Sequence, residues 1–149
     1  MTPPADTATR IWLVYDAECP ACNYYCHLVQ VRESVGQLVL VNAREASRPD
    51  AAKDIRTLMD TITARGLDID QGMVLVVDEQ LYYGADAIHA LALLGSPSGL
   101  FNRFNYRVFR SPTRARWLYP ALRACRNLLL RLLGKRRINN LELPDNSRF

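Results

Sequence analysis

The sequence predicts an α/β fold of order β-α-β-α-β-β-α, a mixed sheet followed by a basic helical C-terminal extension. Three observations predict it. Short apolar runs rich in β-formers alternate with segments whose apolar residues recur at helical spacing. The 149 residues, 49% apolar and 23% charged, suit one globular domain and exclude extensive disorder or a collagen-like chain. The charge is divided: residues 1–100 hold 7 Lys/Arg against 13 Asp/Glu, whereas residues 101–137 hold 11 Lys/Arg and no acid. Four cysteines are too few for a disulfide-stapled scaffold.

Residues 1–10, polar and proline-bearing, are expected to be a flexible tail. Ile11-Trp12-Leu13-Val14-Tyr15 reads as a buried strand, ended by Asp16-Ala17-Glu18. A helix then starts at Cys19-Pro20, because proline suits the first turn, where its missing N–H costs nothing. Ala21, Tyr24, Tyr25, Leu28, Val31 and Val35 form its apolar side, and Gly36 is its stop. Leu38–Val41 is a second buried strand. Pro49-Asp50 opens a second helix, with Ile55, Leu58, Met59 and Ile62 on one face and Gly66 as its end. Met73–Val77 and Leu81–Tyr83 flank the turn Asp78-Glu79-Gln80 as a hairpin. Gly84 leads into a helix over 85–94, ended by Gly95. The β-α-β part implies parallel strands, and the hairpin adds an antiparallel edge. Residues 95–119 read as irregular, with Gly95, Pro97, Gly99, Pro112 and Pro120 as breakers. A last helix spans 121–133, with Leu122, Leu129, Leu132 and Leu133 as its apolar side and Arg123, Arg126 and Arg131 as its charged side. The expected division is therefore an α/β domain over 11–95, the basic extension over 96–137 and a second flexible tail over 138–149.

Cys19-Pro20-Ala21-Cys22 falls where a strand ends and a helix begins. A thiol there faces unpaired backbone N–H groups and the positive end of the helix dipole. Such surroundings lower a cysteine pKa from ~8.5 to between ~3.5 and ~7.5. Cys19, the outermost, is the expected nucleophile, with Cys22 one turn deeper and close enough to bond to it. Thiolate Cys19 would attack a disulfide, and Cys22 would resolve the mixed disulfide. Asp16 is the better of two candidates, with Glu18, to take the Cys22 proton; the bland alternative makes both solvated loop acids. Cys26 reads as a core cysteine or a backup resolving thiol. Cys19, Cys22, Cys26 and His27 cannot surround a tetrahedral ion from one helix, although a two- or three-thiolate site completed by Cys125 or a second chain stays open. No resident metal and no organic cofactor are assigned. Cys125, His27 and His89 are read as structural or surface residues.

The stretch Val14-Tyr15-Asp16-Ala17-Glu18-Cys19-Pro20-Ala21-Cys22 resembles the D-x-x-C-P-x-C opening of the DCC family of predicted thiol-disulfide oxidoreductases. Leu81-Tyr82-Tyr83-Gly84-Ala85-Asp86-Ala87-Ile88 is similar to that family's second signature, Tyr-x-Gly-x-Asp-Ala. The resemblance covers residues 11–94 and implies a thioredoxin-like fold. Asp16, Cys19 and Cys22 match the first signature, and Gly84, Asp86 and Ala87 the second. Ala17 stands where many relatives have glycine. Thioredoxin and glutaredoxin carry a cis-proline before the third strand; Asp70-Gln71-Gly72-Met73-Val74 has none, so docking must differ. The C-P-x-C pair is similar to that of glutaredoxins, which implies substrate binding by Pro20, Gly84 and Asp86; alternatively Asp86 only caps its helix.

The resemblance and the cysteine site together predict thiol–disulfide exchange of the protein-disulfide reductase type. Its substrate would be a disulfide-containing protein or a small thiol compound, with electrons from a thiol donor or a reductase. No run reaches the ~18 apolar residues of a bilayer span. Residues 1–6 lack the basic-then-apolar pattern of a signal peptide. A cytoplasmic place and a resting dithiol are therefore expected. For the arginine- and aromatic-rich stretch 101–137, three readings stand: packing on the acidic domain, contact with anionic membrane, or, least favoured, nucleic acid. The rival class is a binding module that docks to membrane or a partner through this extension, its cysteines structural or metal-holding.

Overall fold

The structure is a computed structural model that describes residues 9–29, 31, 35–96 and 99–149. The expected N-terminal tail lies outside the described residues up to position 8. The chain runs β1 (Arg10–Tyr15), α1 (Pro20–Leu28), β2 (Gln37–Asn42), α2 (Ala43–Ala46), α3 (Lys53–Ala64), β3 (Val74–Val77), β4 (Gln80–Tyr83), α4 (Ala85–Leu94), α5 (Leu100–Phe109) and α6 (Pro112–Leu132). The sheet order is β2-β1-β3-β4. β1 pairs parallel with β2, and β3 and β4 follow antiparallel, which is the mixed sheet of a thioredoxin-like fold.

Strand alternation divides the core between the two faces of the sheet. Ile11, Leu13 and Tyr15 face Cys26, Val29, Ala87 and Leu91 from α1 and α4. Val14 and Val74 face Ala43, Ala46, Met59 and Ile62 from α2 and α3. Each aliphatic side chain so buried contributes about 1.5–3 kcal/mol of transfer free energy, which is why β1, with Ile11, Leu13 and Val14 fully buried, forms the centre.

Four expectations change. First, α1 stops at Leu28, and Val31 makes an antiparallel bridge with Gly95 instead of continuing the helix. Second, the segment after β2 opens with the short helix α2, because Asn42 accepts the Arg44 N–H at 3.2 Å, and the next helix starts at Lys53 rather than at Pro49. Third, residues 95–119 are mostly helical. Gly99 and Pro112 mark helix starts: Gly99 caps α5 at φ 90°, and Ser111 caps α6 with Pro112 in its first turn. α6 also continues through Pro120. A proline inside a helix costs about 3 kcal/mol; burial of Ala115 and Leu130 on either side of it offsets that cost. Fourth, residues 138–149, read as a flexible tail, are tied to the body. Both Asp70 carboxylate oxygens accept backbone N–H groups, from Ile138 at 2.8 Å and Asn139 at 2.7 Å.

The extension packs on the domain. Ile88 and Ala92 of α4 meet Phe109 of α5 and Ala115 of α6, with Tyr119 alongside. Tyr119 donates to the Gln71 carbonyl at 3.1 Å, and a Cβ on Gly84 would lie 3.3 Å from its ring. Gly84 also sits at φ 59°, ψ −121°, where a side chain is strained. The glycine therefore serves both its own backbone and the seat of α6.

Candidate active site

The loop between β1 and α1 holds the cysteines in place through Asp16. This carboxylate is buried and takes the Arg44 guanidinium on both oxygens, at 2.8 and 3.0 Å. It also accepts the Glu18 N–H at 3.0 Å, while its backbone carbonyl accepts the Cys19 N–H at 3.2 Å. Arg44 in turn donates to the Arg136 carbonyl at 2.6 Å, and Lys135 pairs with Glu18 at 2.8 Å. The extension thus flanks the turn that carries Cys19. Both Asp16 oxygens are held by the Arg44 guanidinium, so the carboxylate ties the loop to α2.

Cys19 is the N-cap of α1, with Pro20 in the first turn. Its Sγ accepts the Cys22 N–H at 3.4 Å. Cys19, Cys22, Cys26 and Cys125 are all free thiols. The hydrogen bond from the Cys22 thiol lowers the Cys19 pKa to about 6, against the opposing effect of burial; the Cys22 and Ala21 backbone N–H groups and the charge of Arg126 add to the lowering. The Cys22 pKa is pushed up by its bond to Cys19, by burial and by the Cys19 charge, with Arg126 opposing. Cys26 lies in the core, where burial raises its pKa to about 12.

Accessibility reverses the expected order of the pair. Cys19 is 0% exposed, while Cys22 is partly exposed. The cap position turns the Cys19 side chain back over the first turn toward the helix N–H groups. The same geometry that charges the sulfur thereby hides it.

Cys22 lies on the wall of a cleft of about 420 Å³ between α1, α4, α5 and α6. Asp16, Arg123, Cys125 and Arg126 share this wall; Pro20, Gly84 and Asp86, the expected substrate-binding residues, lie outside it. Asp86 is exposed, makes no capping bond and pairs with Arg116 at 3.4 Å. The Asp70–Val74 stretch before β3 is occupied within the chain, since the Asp70 and Gln71 carbonyls accept Arg126 and Tyr119. His89 contacts the Phe109 carbonyl at 2.8 Å, linking α4 to α5, and His27 contacts the Asn23 carbonyl at 2.7 Å. Among the described residues no group of three His, Cys, Asp or Glu side chains is placed to hold a metal ion.

Comparison with protein families matches residues 13–132 to the DCC1-like thiol-disulfide oxidoreductases. The chain belongs to that family. Its general chemistry is accordingly thiol–disulfide chemistry, and the thioredoxin-like fold agrees with the family. The match extends through α5 and all of α6, beyond the stretch that the two signatures cover. No significant match is found among curated proteins or solved structures. No helix among the described residues is long and apolar enough to cross a membrane.

Arg44, Asp70, Tyr119 and Arg126 are site-supporting residues that the sequence reading missed. Arg126 is one of 11 basic residues in its segment, and nothing in the pattern singles it out. Its hydrogen-bond partner, the Asp70 carbonyl, lies 56 residues earlier.

Proposed function

We propose that the protein reduces disulfides through Cys19 and Cys22, with a thiol donor or a reductase restoring the dithiol. The observation that carries this reading is Cys19 at the start of α1, accepting a backbone N–H with its pKa lowered to about 6. Thiolate Cys19 attacks one sulfur of the substrate disulfide, and the other sulfur leaves as a thiolate that takes a proton from water. Cys22 then loses its proton and attacks Cys19 Sγ, the second substrate sulfur leaves, and the Cys19–Cys22 bond closes. Two electrons pass to the substrate, which gains two protons.

The timing follows from the electrostatics. In the dithiol, Cys22 is held protonated chiefly by its bond to thiolate Cys19. Mixed-disulfide formation removes both that bond and that charge, while Arg126 remains. The resolving thiol is therefore activated only after the first step. Asp16 acts in this reading by fixing the loop. Because Cys19 has no exposed surface, local opening must precede its attack on a bulky disulfide.

Iodoacetamide alkylation of Cys19, followed by mass spectrometry, tests the reading. Only the thiolate reacts, so the rate should rise with pH through about 6 and level off near neutrality. Arg126→Met should move the midpoint upward, since a favourable charge is lost. A midpoint near the ~8.5 of free cysteine would remove the proposed nucleophile.

A second reading concerns the outer face of α6. Trp117, Leu128 and Leu132 are 78%, 57% and 76% exposed and recur on one side of the helix amid arginines. Such a face suits the surface of an anionic membrane. Co-sedimentation with phosphatidylcholine–phosphatidylglycerol vesicles should be seen at low salt, fall at high salt and weaken in Leu132→Glu. No lipid-dependent pelleting would end this reading.

A further inference from the structure

We propose that the cleft beside Cys22 binds a small amphipathic monocarboxylate, its apolar chain between α4, α5 and α6 and its carboxylate at Arg123 and Arg126. The size is that of a small-molecule site, since such pockets run ~300–1,000 Å³ and this one is about 420 Å³. Met73, Ile88, Phe104, Phe109, Leu122 and Leu129 supply an apolar wall. Phe104 and Leu122 remain 65% and 45% exposed, which leaves oily surface uncovered at the rim.

Charge selects the ligand's head. Leu122, Arg123, Arg126 and Leu129 follow one another at helical spacing, so apolar and cationic side chains share the stripe of α6 that lines the cleft. The pattern of the sequence alone puts these leucines and arginines on opposite sides. The ion pairs among the described residues use Arg44, Arg116 and Lys135, not Arg123 or Arg126. Arg126 donates to the Asp70 carbonyl and lies against the Phe149 ring, yet its Nε–H is buried with no hydrogen-bond partner. The one acid on the wall, Asp16, is already neutralised by Arg44. An apolar chamber whose α6 wall carries two guanidinium groups outside any ion pair among the described residues, and whose one acid is already paired, favours an anion with an oily body over a cation or a neutral polar molecule.

Calorimetric titration of the full chain with decanoate, below its micelle concentration, tests this without any redox step. It therefore stands or falls apart from the exchange reaction. Saturable binding at one site per chain is expected, with 1-decanol at least about 10-fold weaker because it lacks the charge. Phe104→Glu places a like charge at the exposed rim and should weaken decanoate by about 10-fold or more, with the fold checked by circular dichroism. Arg123→Gln should weaken decanoate but leave decanol unchanged. Absence of saturable binding, equal affinity for decanol and decanoate, or unaltered affinity in Phe104→Glu would each overturn the site.

Discussion

Cys19→Ser is expected to lose disulfide reduction by at least about a thousandfold, well within the loss that follows removal of a nucleophile. Serine keeps the size of the side chain and can still accept the Cys22 N–H, so α1 should keep its cap. What disappears is the sulfur that is ionised near pH 6, because a hydroxyl there stays protonated. Cys22→Ser separates the two steps. Attack by Cys19 remains, resolution does not, and the mixed disulfide should accumulate as an adduct visible in the intact mass. Cys22→Ser should also raise the Cys19 pKa, since the thiol that donates to the thiolate is the first cause of its lowering. Reductase turnover with a fluorogenic disulfide, measured beside the adduct mass, distinguishes the outcomes. Equal turnover in wild type and Cys19→Ser would leave only the rival class, a docking module with structural cysteines.

The sheet and the cysteine pair were legible because short-range chemistry specifies them. Ile11–Tyr15 can only be a buried strand in so polar a neighbourhood, and a Cys-Pro pair after it suits a cap and a first turn. The extension was misread for a related reason. Gly99, Pro112 and Pro120 read as breakers in the sequence, whereas two of them start helices and the third lies within one supported by packing on both sides. Which arginine of many lines the cleft beside the pair depends on how α6 packs on α4. That arrangement is set by the contacts of Tyr119 with Gln71 and Gly84. No periodicity in the segment encodes those partners, because they lie more than 30 residues earlier in the chain.

Asp70→Ala is expected to be the most destabilising single change outside the apolar core. Asp70 is 0% exposed and carries the junction between the domain and residues 138–149. Its two oxygens are the acceptors for the Ile138 and Asn139 N–H groups, and alanine supplies none. Each part-buried donor left without a partner costs about 1–3 kcal/mol, so the pair should cost about 2–6 kcal/mol. Burial raises the Asp70 pKa and the two N–H bonds oppose that rise, so the carboxylate is tolerated because the strap meets it. Asp70→Asn keeps one accepting oxygen but turns an amide N–H₂ toward the other donor, and should lose less. Neighbouring bonds do not replace the lost ones: Asn140 already spans the Leu67 carbonyl and the Ile69 N–H. Urea unfolding should show a lower midpoint, and hydrogen exchange should show lost protection at positions 138 and 139. Because Lys135 and Arg136 lie against Glu18 and Arg44, release of the strap should also quicken alkylation of Cys19. An unchanged midpoint with unchanged protection would mean that the strap is held by other contacts, and the role assigned to Asp70 would fail.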